Sequence, residues 1–83
     1  MYCCYILYSE KFQKIYIGQT ANLIARIKSH NSLSKKGYTI RFRPWKVVWV
    51  EFLDTRQDAL KREKELKSGQ GRQWIYDFVL KSY

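Results

Sequence analysis

The stretch KIYIGQTANLIARIKSHN, residues 14–31, contains a short apolar strand followed directly by a helix. Its first five residues are mostly β-branched or aromatic, which indicates a strand that ends on Gly18. Thr20 or Asn22 can cap the helix, which the pattern predicts to run to about Ser32. The stretch therefore predicts a tight strand-to-helix connection.

The apolar stripe of this predicted helix consists of Leu23, Ile24 and Ile27. At about 100° per residue, Arg26 and His30 lie together at the edge of that stripe, between the buried face and solvent. His30 is the only histidine of the chain.

Strand patterns flank this stretch on both sides. The run YCCYILY, residues 2–8, should pair with residues 14–18 as an antiparallel hairpin, with Tyr5 on the face of Cys3 and Leu7. The run WKVVWVEF, residues 45–52, is apolar on both faces, which predicts a strand that is central or covered on both sides.

Two further helices follow this last strand. Thr55 is the expected N-cap of a helix that ends near Ser68 and Gly69. The final helix, from about Gly71, carries Trp74, Ile75 and Phe78 at the spacing of core residues. The order strand, strand, helix, strand, helix, helix predicts an α+β fold, a small three-stranded antiparallel sheet flanked by helices.

The length and composition predict a single folded unit over residues 1–83. Hydrophobic residues make up 46% of the chain and aromatic residues 17%, which is unlike a disordered chain. The formal charge is +9, from 16 basic and seven acidic residues, and this indicates a polyanionic partner. Nucleic acid ranks first, ahead of an anionic membrane surface or a basic protein with no such partner.

The cysteines and the chain start bear on the cellular compartment. Cys3 and Cys4 are adjacent, so they point to opposite sides of a strand and cannot easily bond to each other. Neither a disulfide framework nor a cysteine zinc site is expected. The first twelve residues match neither a signal peptide nor a membrane span, so we expect a reducing cytoplasm and no membrane association.

Glu63 breaks the pattern of the helix over residues 56–67. It falls within the arc of the apolar residues Ala59, Leu60 and Leu66, where a carboxylate needs a cation, a metal or a set of donors. One interpretation is a marginal position with an ion pair to Lys67, one turn further on. The other is a metal-ligating glutamate.

A basic stretch between the first helix and the third strand is the expected nucleic-acid surface. Residues 32–44 read as a loop that carries Lys35, Lys36, Arg41 and Arg43, with Tyr38 and Phe42 interleaved. The alternative is an ordinary solvated loop. Gly18 would let the backbone approach a substrate closely, although a plain turn also explains it.

Taken in order, these elements resemble the GIY-YIG nuclease family. The first strand motif keeps only its tyrosine, in Cys3-Cys4-Tyr5, whereas the second is intact as Tyr16-Ile17-Gly18. The segment NLIARIKSHN resembles the first helix of the family, and ALKREKELK resembles the later helix with its glutamate. The likeness is strongest to the small stand-alone bacterial members.

The resemblance implies a metal-dependent endonuclease acting on DNA. It implies that Tyr5, Tyr16, Arg26, His30 and Glu63 are the catalytic residues. Glu63 would hold one Mg²⁺ or Mn²⁺ ion, a hard cation suited to carboxylate and water ligands. Arg26 would neutralise the scissile phosphate, and one of the two tyrosines, left open here, would help to deprotonate the attacking water.

No recognition helix or zinc finger is visible in the sequence, so low sequence specificity is expected. DNA structure or a protein partner would then choose the target. The runner-up function is a non-catalytic nucleic-acid-binding module of the same fold, and a protein-interaction domain comes third.

Overall fold

The structure is a computed structural model that describes residues 1–33 and 38–81. Within these ranges the chain forms three strands: β1 (Tyr2–Ser9), β2 (Lys14–Thr20) and β3 (Lys46–Leu53). The helices are α1 (Leu23–Lys28), α2 (Tyr38–Arg41), α3 (Arg56–Lys67) and α4 (Gly69–Trp74). Wider π-helical turns extend α1 over Ser29–Leu33 and α4 over Ile75–Val79. The predicted α+β class is confirmed.

The three strands form one antiparallel sheet in the order β2–β1–β3. The prediction that the third strand is central was therefore wrong. The alternative, a strand covered on both sides, holds for Val48 and Val50, which pack against the core on opposite faces of the sheet. β3 lies at an edge, and its Val47, Trp49 and Phe52 remain 37–68% exposed. β1 is the central strand, and it alone of the three carries no charged side chain.

Helices cover the sheet on both faces, so the protein has two apolar layers. One layer packs Ala59, Leu66, Ile75 and Val79 of the C-terminal helices against Cys4, Ile6, Ile15 and Ile17 of the sheet. The other joins Cys3, Tyr5, Leu7 and Trp45 with the partly buried Leu23 and Ile27 of α1. The two cysteines are free and lie in different layers, as their adjacency predicts.

Side-chain caps define the helix starts. The Asn22 side chain accepts a hydrogen bond from the Ala25 N–H, and Thr55 accepts one from Asp58 in the same way. Ser68 ends α3 and also caps α4 by accepting from the Gly71 N–H. The last helix thus begins at Gly69, two residues before the predicted start.

Three residues assigned to the core are instead exposed. They are Ile24 at 69%, Leu60 at 42% and Phe78 at 63% exposure. For Phe78 the cause is the π-helical turn, closed by a bond from the Leu80 N–H to the Ile75 carbonyl. The wider turn brings Val79, not Phe78, onto the face that Ile75 buries.

The stretch predicted as a basic loop is partly helical, since the π-helical turn reaches Leu33 and α2 covers Tyr38–Arg41. In the described part of the chain, no helix has the length and apolar character needed to cross a bilayer.

Candidate active site

Two tyrosines from neighbouring strands meet on the α1 side of the sheet. Tyr5 pairs with Gly18 and Leu7 pairs with Tyr16, which places both phenol rings on one face. The ring centroids of Tyr5 and Tyr16 lie 6.3 Å apart. Tyr5 is completely buried, whereas Tyr16 is half-buried.

Gly18 is required here by close packing. A Cβ atom at this position would lie 2.5 Å from the Tyr5 hydroxyl oxygen and 3.1 Å from a ring carbon of Tyr16. The glycine therefore makes room for the phenol of Tyr5. Contact of Gly18 with a substrate stays a prediction.

His30 projects from the π-helical extension of α1 onto these two rings. Its Nε2 atom lies 3.0 Å from the Tyr5 hydroxyl oxygen, within hydrogen-bond distance. Its ring centroid is 4.7 Å from that of Tyr16. Only 5% of His30 is exposed, so the structure brings together three of the residues that the sequence singled out.

The backbone around His30 is held by hydrogen bonds to Arg43 and Trp45. The Arg43 guanidinium donates to the carbonyl oxygens of His30 and Ser29, at 2.6 and 3.3 Å. The Asn31 side chain accepts from the Trp45 N–H at 2.7 Å and donates to the Trp45 carbonyl at 3.1 Å. Sequence reasoning missed Asn31 and Trp45 as positioning residues, because their pairing across fourteen positions carries no local signal.

Arg26 is exposed and lies beside the buried ring cluster. Its pKa is raised, chiefly by hydrogen bonding with the Tyr5 hydroxyl and also by Tyr16, against the opposing effect of burial. The guanidinium therefore connects the tyrosines with solvent. This is the position that the helix-edge prediction gave it.

Burial sets the protonation states of Tyr5 and His30. The pKa of Tyr5 is raised, first by desolvation and then by Tyr16 and Glu63, although Arg26 offsets part of the effect. The pKa of His30 is lowered by burial and by the charges of Arg26 and Arg43. At neutral pH Tyr5 is therefore a neutral phenol and His30 a neutral imidazole.

Glu63 approaches the site from the opposite face of the sheet, on α3. Its side chain is 21% exposed, and Oε1 lies 3.4 Å from Lys67 Nζ, so the ion pair expected one turn further on is present. The carboxylate also acts on the site, since its charge raises the pKa of both Tyr5 and Cys4. Glu63 is thus electrostatically coupled to the phenol cluster.

Glu63 would offer a metal ion a single carboxylate. Across residues 1–33 and 38–81, no group of three or more His, Cys, Asp or Glu side chains could hold an ion. The role of Glu63 as a metal ligand stays a prediction.

The basic residues predicted to bind nucleic acid differ in their surroundings. Lys35 and Lys36 lie outside the described residues. Arg41 is exposed, with its guanidinium 5.7 Å from the Phe42 ring centroid. Arg43 is partly buried and holds the helix carbonyls, a structural task that the sequence did not indicate.

The sequence of the chain matches the model of a known protein family. The GIY-YIG catalytic domain matches residues 1–76. The chain belongs to the GIY-YIG family. The resemblance inferred from the two strand motifs and the two helix segments is confirmed.

Two kinds of relative are similar to this GIY-YIG chain. The structure-specific endonuclease subunit slx1 of Schizosaccharomyces japonicus is 43% identical over 67 residues, covering 75% of this chain. The UPF0213 protein SH2523 of Staphylococcus haemolyticus is 36% identical over 58 residues, covering 70% of this chain. The solution NMR structure of the UPF0213 protein BH0048 from Bacillus halodurans matches with a TM-score of 0.54 and 26% identity.

The relatives differ in how much of their length the GIY-YIG chain spans. It covers 24% of the Schizosaccharomyces protein, 71% of the Staphylococcus protein and 84% of the Bacillus protein. The NMR structure in turn covers 93% of this chain.

Proposed function

We propose that this GIY-YIG chain is a metal-dependent endonuclease that hydrolyses DNA phosphodiester bonds. The observation that carries the proposal is the convergence of Tyr5, Tyr16, His30 and Arg26 on one face of the sheet. The catalytic-domain family and the name of the fungal endonuclease subunit support the same reaction class.

Arg26 neutralises the scissile phosphate. It is permanently charged, exposed to solvent and able to direct two N–H donors at phosphate oxygens. Because it also lies beside both tyrosine hydroxyls, it stabilises negative charge that develops on either oxygen during proton transfer.

Tyr16 is the better candidate for contact with the attacking water. Tyr5 is completely buried and its raised pKa disfavours the phenolate, so it neither meets solvent nor readily gives up its proton. Tyr16 is half-buried beside the same arginine. In this assignment Tyr5 and His30 position Tyr16 and complete the hydrogen-bonded set behind it.

The donor set fits a hard divalent ion held by Glu63. A half-buried carboxylate on the α3 side of the sheet, whose charge acts on the Tyr5 hydroxyl, suits Mg²⁺ or Mn²⁺, with water and substrate oxygens as the remaining ligands. Such an ion, when bound, supplies charge stabilisation at the departing oxygen. Binding of the ion requires Glu63 to exchange its Lys67 partner.

Low sequence specificity completes the proposal, with recognition by DNA structure or by a protein partner. Recognition of DNA structure agrees with the words "structure-specific" in the name of the fungal relative, and a protein partner agrees with the word "subunit". A cytoplasmic location is part of the same proposal.

The test is cleavage of branched, nicked and single-stranded DNA with Mg²⁺ or Mn²⁺. Glu63→Gln and Arg26→Ala should each lower the rate about 100-fold or more, as expected for loss of a charged transition-state contact. Glu65→Gln is the matched control, because this carboxylate lies on the same helix but its side chain is 53% exposed and contacts Arg62. It should retain activity.

Equal rates for the wild type and the Glu63 variant would refute the assignment and indicate a contaminating nuclease. Binding without cleavage on every substrate would favour the non-catalytic nucleic-acid-binding module. For the tyrosines, Tyr16→Phe should lower the rate more than Tyr5→Phe, because only Tyr16 is exposed enough to contact the attacking water.

A further inference from the structure

A cleft of about 400 Å³ opens at the end of the sheet where β1 begins and β2 ends. Two of its lining residues are arginines from different helices, Arg26 on α1 and Arg56 on α3. The lining residues are Tyr2, Gln19, Thr20, Ala21, Arg26 and Arg56, and none of them is acidic. Through Arg26, the cleft adjoins the candidate active site.

Arg56 lies on the same side of α3 as Glu63. The two residues are seven positions apart, which at 3.6 residues per turn is close to two full turns, with a rise of about 10 Å. The arginine is therefore placed along the helix from the predicted metal ligand, near enough to contact a neighbouring part of the same DNA strand.

The charge of Arg56 is not used within the fold. Its side chain is exposed, and it forms no ion pair with any residue that the structure describes. As the first residue of α3, it also places a positive charge at the positive end of the helix dipole, which is unfavourable for stability. A residue that lowers the stability of its own helix is typical of a position kept for function.

We propose that this cleft binds the DNA phosphate next to the scissile one, with Arg56 as its binding residue. The guanidinium can donate two parallel hydrogen bonds to phosphate oxygens, and Tyr2 offers an aromatic surface to the adjoining sugar or base. The inference rests on the proposed function, because it assigns Arg26 to the scissile phosphate and Arg56 to its neighbour.

The first test measures binding of a branched DNA oligonucleotide in EDTA, where cleavage does not occur. Arg56→Gln should reduce the slope of log affinity against log salt by about 0.9, the value for one lost phosphate contact. If affinities converge near 1 M salt, this slope change corresponds to about an eightfold loss at 0.1 M.

Lys61→Gln is the matched control. It removes the same charge from an exposed position on the same helix, but Lys61 lines a different cleft. It should leave the slope unchanged. Equal slopes for both variants, whether lowered or not, would overturn the proposal.

Thermal stability separates binding from a structural role. Because Arg56 opposes the helix dipole, Arg56→Gln should melt at the same temperature as the wild type or higher. A lower melting temperature together with weaker binding would indicate that Arg56 supports the fold, and would overturn the proposal.

Neutral methylphosphonates placed one at a time beside the cleaved bond test the position. A methylphosphonate at one position should weaken DNA binding by the wild type but should not weaken binding by Arg56→Gln any further. Additive losses at every position would overturn the assignment. A slope change without any cleavage would support the cleft while the nuclease proposal fails, and cleavage without an Arg56 effect would reject the cleft alone.

Discussion

Replacement of Gly18 by alanine tests how tightly the site is packed. The added Cβ would lie 2.5 Å from the Tyr5 hydroxyl oxygen and 2.7 Å from Cζ of the same ring. These distances are shorter than real Cβ contacts allow, and Tyr5 is completely buried. The phenol must therefore move, and its 3.0 Å contact with His30 moves with it.

The magnitude follows from two opposing terms. Alanine in place of glycine within a strand gains about 0.5–1 kcal/mol from reduced chain entropy. Overpacking of a well-packed core costs about 1–3 kcal/mol. The free energy of unfolding should therefore fall, by up to about 2.5 kcal/mol.

Gly69→Ala is the control, because nothing lies within 4 Å of a Cβ built at Gly69. It gains the same stabilisation from reduced chain entropy but has no overpacking. The difference in the free energy of unfolding between the two variants therefore isolates the steric cost. That difference should reach about 1–3 kcal/mol, or at least about 4 °C in Tm for a chain of this size. Urea denaturation and thermal melting measure it.

The double variant with Tyr5→Phe identifies the steric partner. Removal of the hydroxyl eliminates the closest contact, so part of the Gly18→Ala cost should disappear in a double-mutant cycle. Equal stability of Gly18→Ala and Gly69→Ala, or purely additive effects with Tyr5→Phe, would refute the packing explanation.

Three further predictions concern titrating groups. Burial and two nearby arginines lower the pKa of His30, so below about pH 6.5 the unfolded chain binds a proton that the folded chain does not. The urea midpoint of unfolding should therefore decrease as the pH is lowered from 7 to 5, and it should decrease less in His30→Gln. Parallel curves of midpoint against pH for the two proteins would contradict this. Burial raises the pKa of the Cys4 thiol to about 11, so a thiol-specific disulfide reagent should label it at pH 8 only after denaturation, and rapid native labelling would contradict its burial. Glu51 accepts hydrogen bonds from Arg62 at 2.7 and 2.8 Å, so Glu51→Ala should cost about 1 kcal/mol in urea denaturation. Glu10→Ala, which removes an exposed ion pair, should cost almost nothing, and equal losses would refute the distinction.

Strand order shows where sequence patterns are insufficient. Residues 45–52 are apolar on both faces, as a central strand would be, yet β3 lies at the sheet edge. The charges of Lys46 and Glu51 are the signal for an edge, and the uncharged β1 is the strand that pairs on both sides. Counting apolar residues alone missed this distinction.

The helix faces show a second limit. The pattern placed Phe78 in the core because it assumed ordinary helical spacing from Trp74 and Ile75. The structure closes a wider turn after Ile75 and buries Val79 instead. Backbone hydrogen bonding chooses the turn type, and side-chain hydrophobicity does not reveal it.

The sequence by itself determined the three strands, the helices other than α2, the α+β class, the Thr55 cap and the residues that carry the family resemblance. These features depend on alternation along strands, the helical period and short-range capping, all of which act over a few residues. Only the tertiary structure decided that Gly18 makes room for Tyr5, that Arg43 holds the backbone of His30, and that Arg26 and Arg56 share a cleft. These contacts join residues distant along the chain, and their distances follow from the packing of helices on both faces of one small sheet.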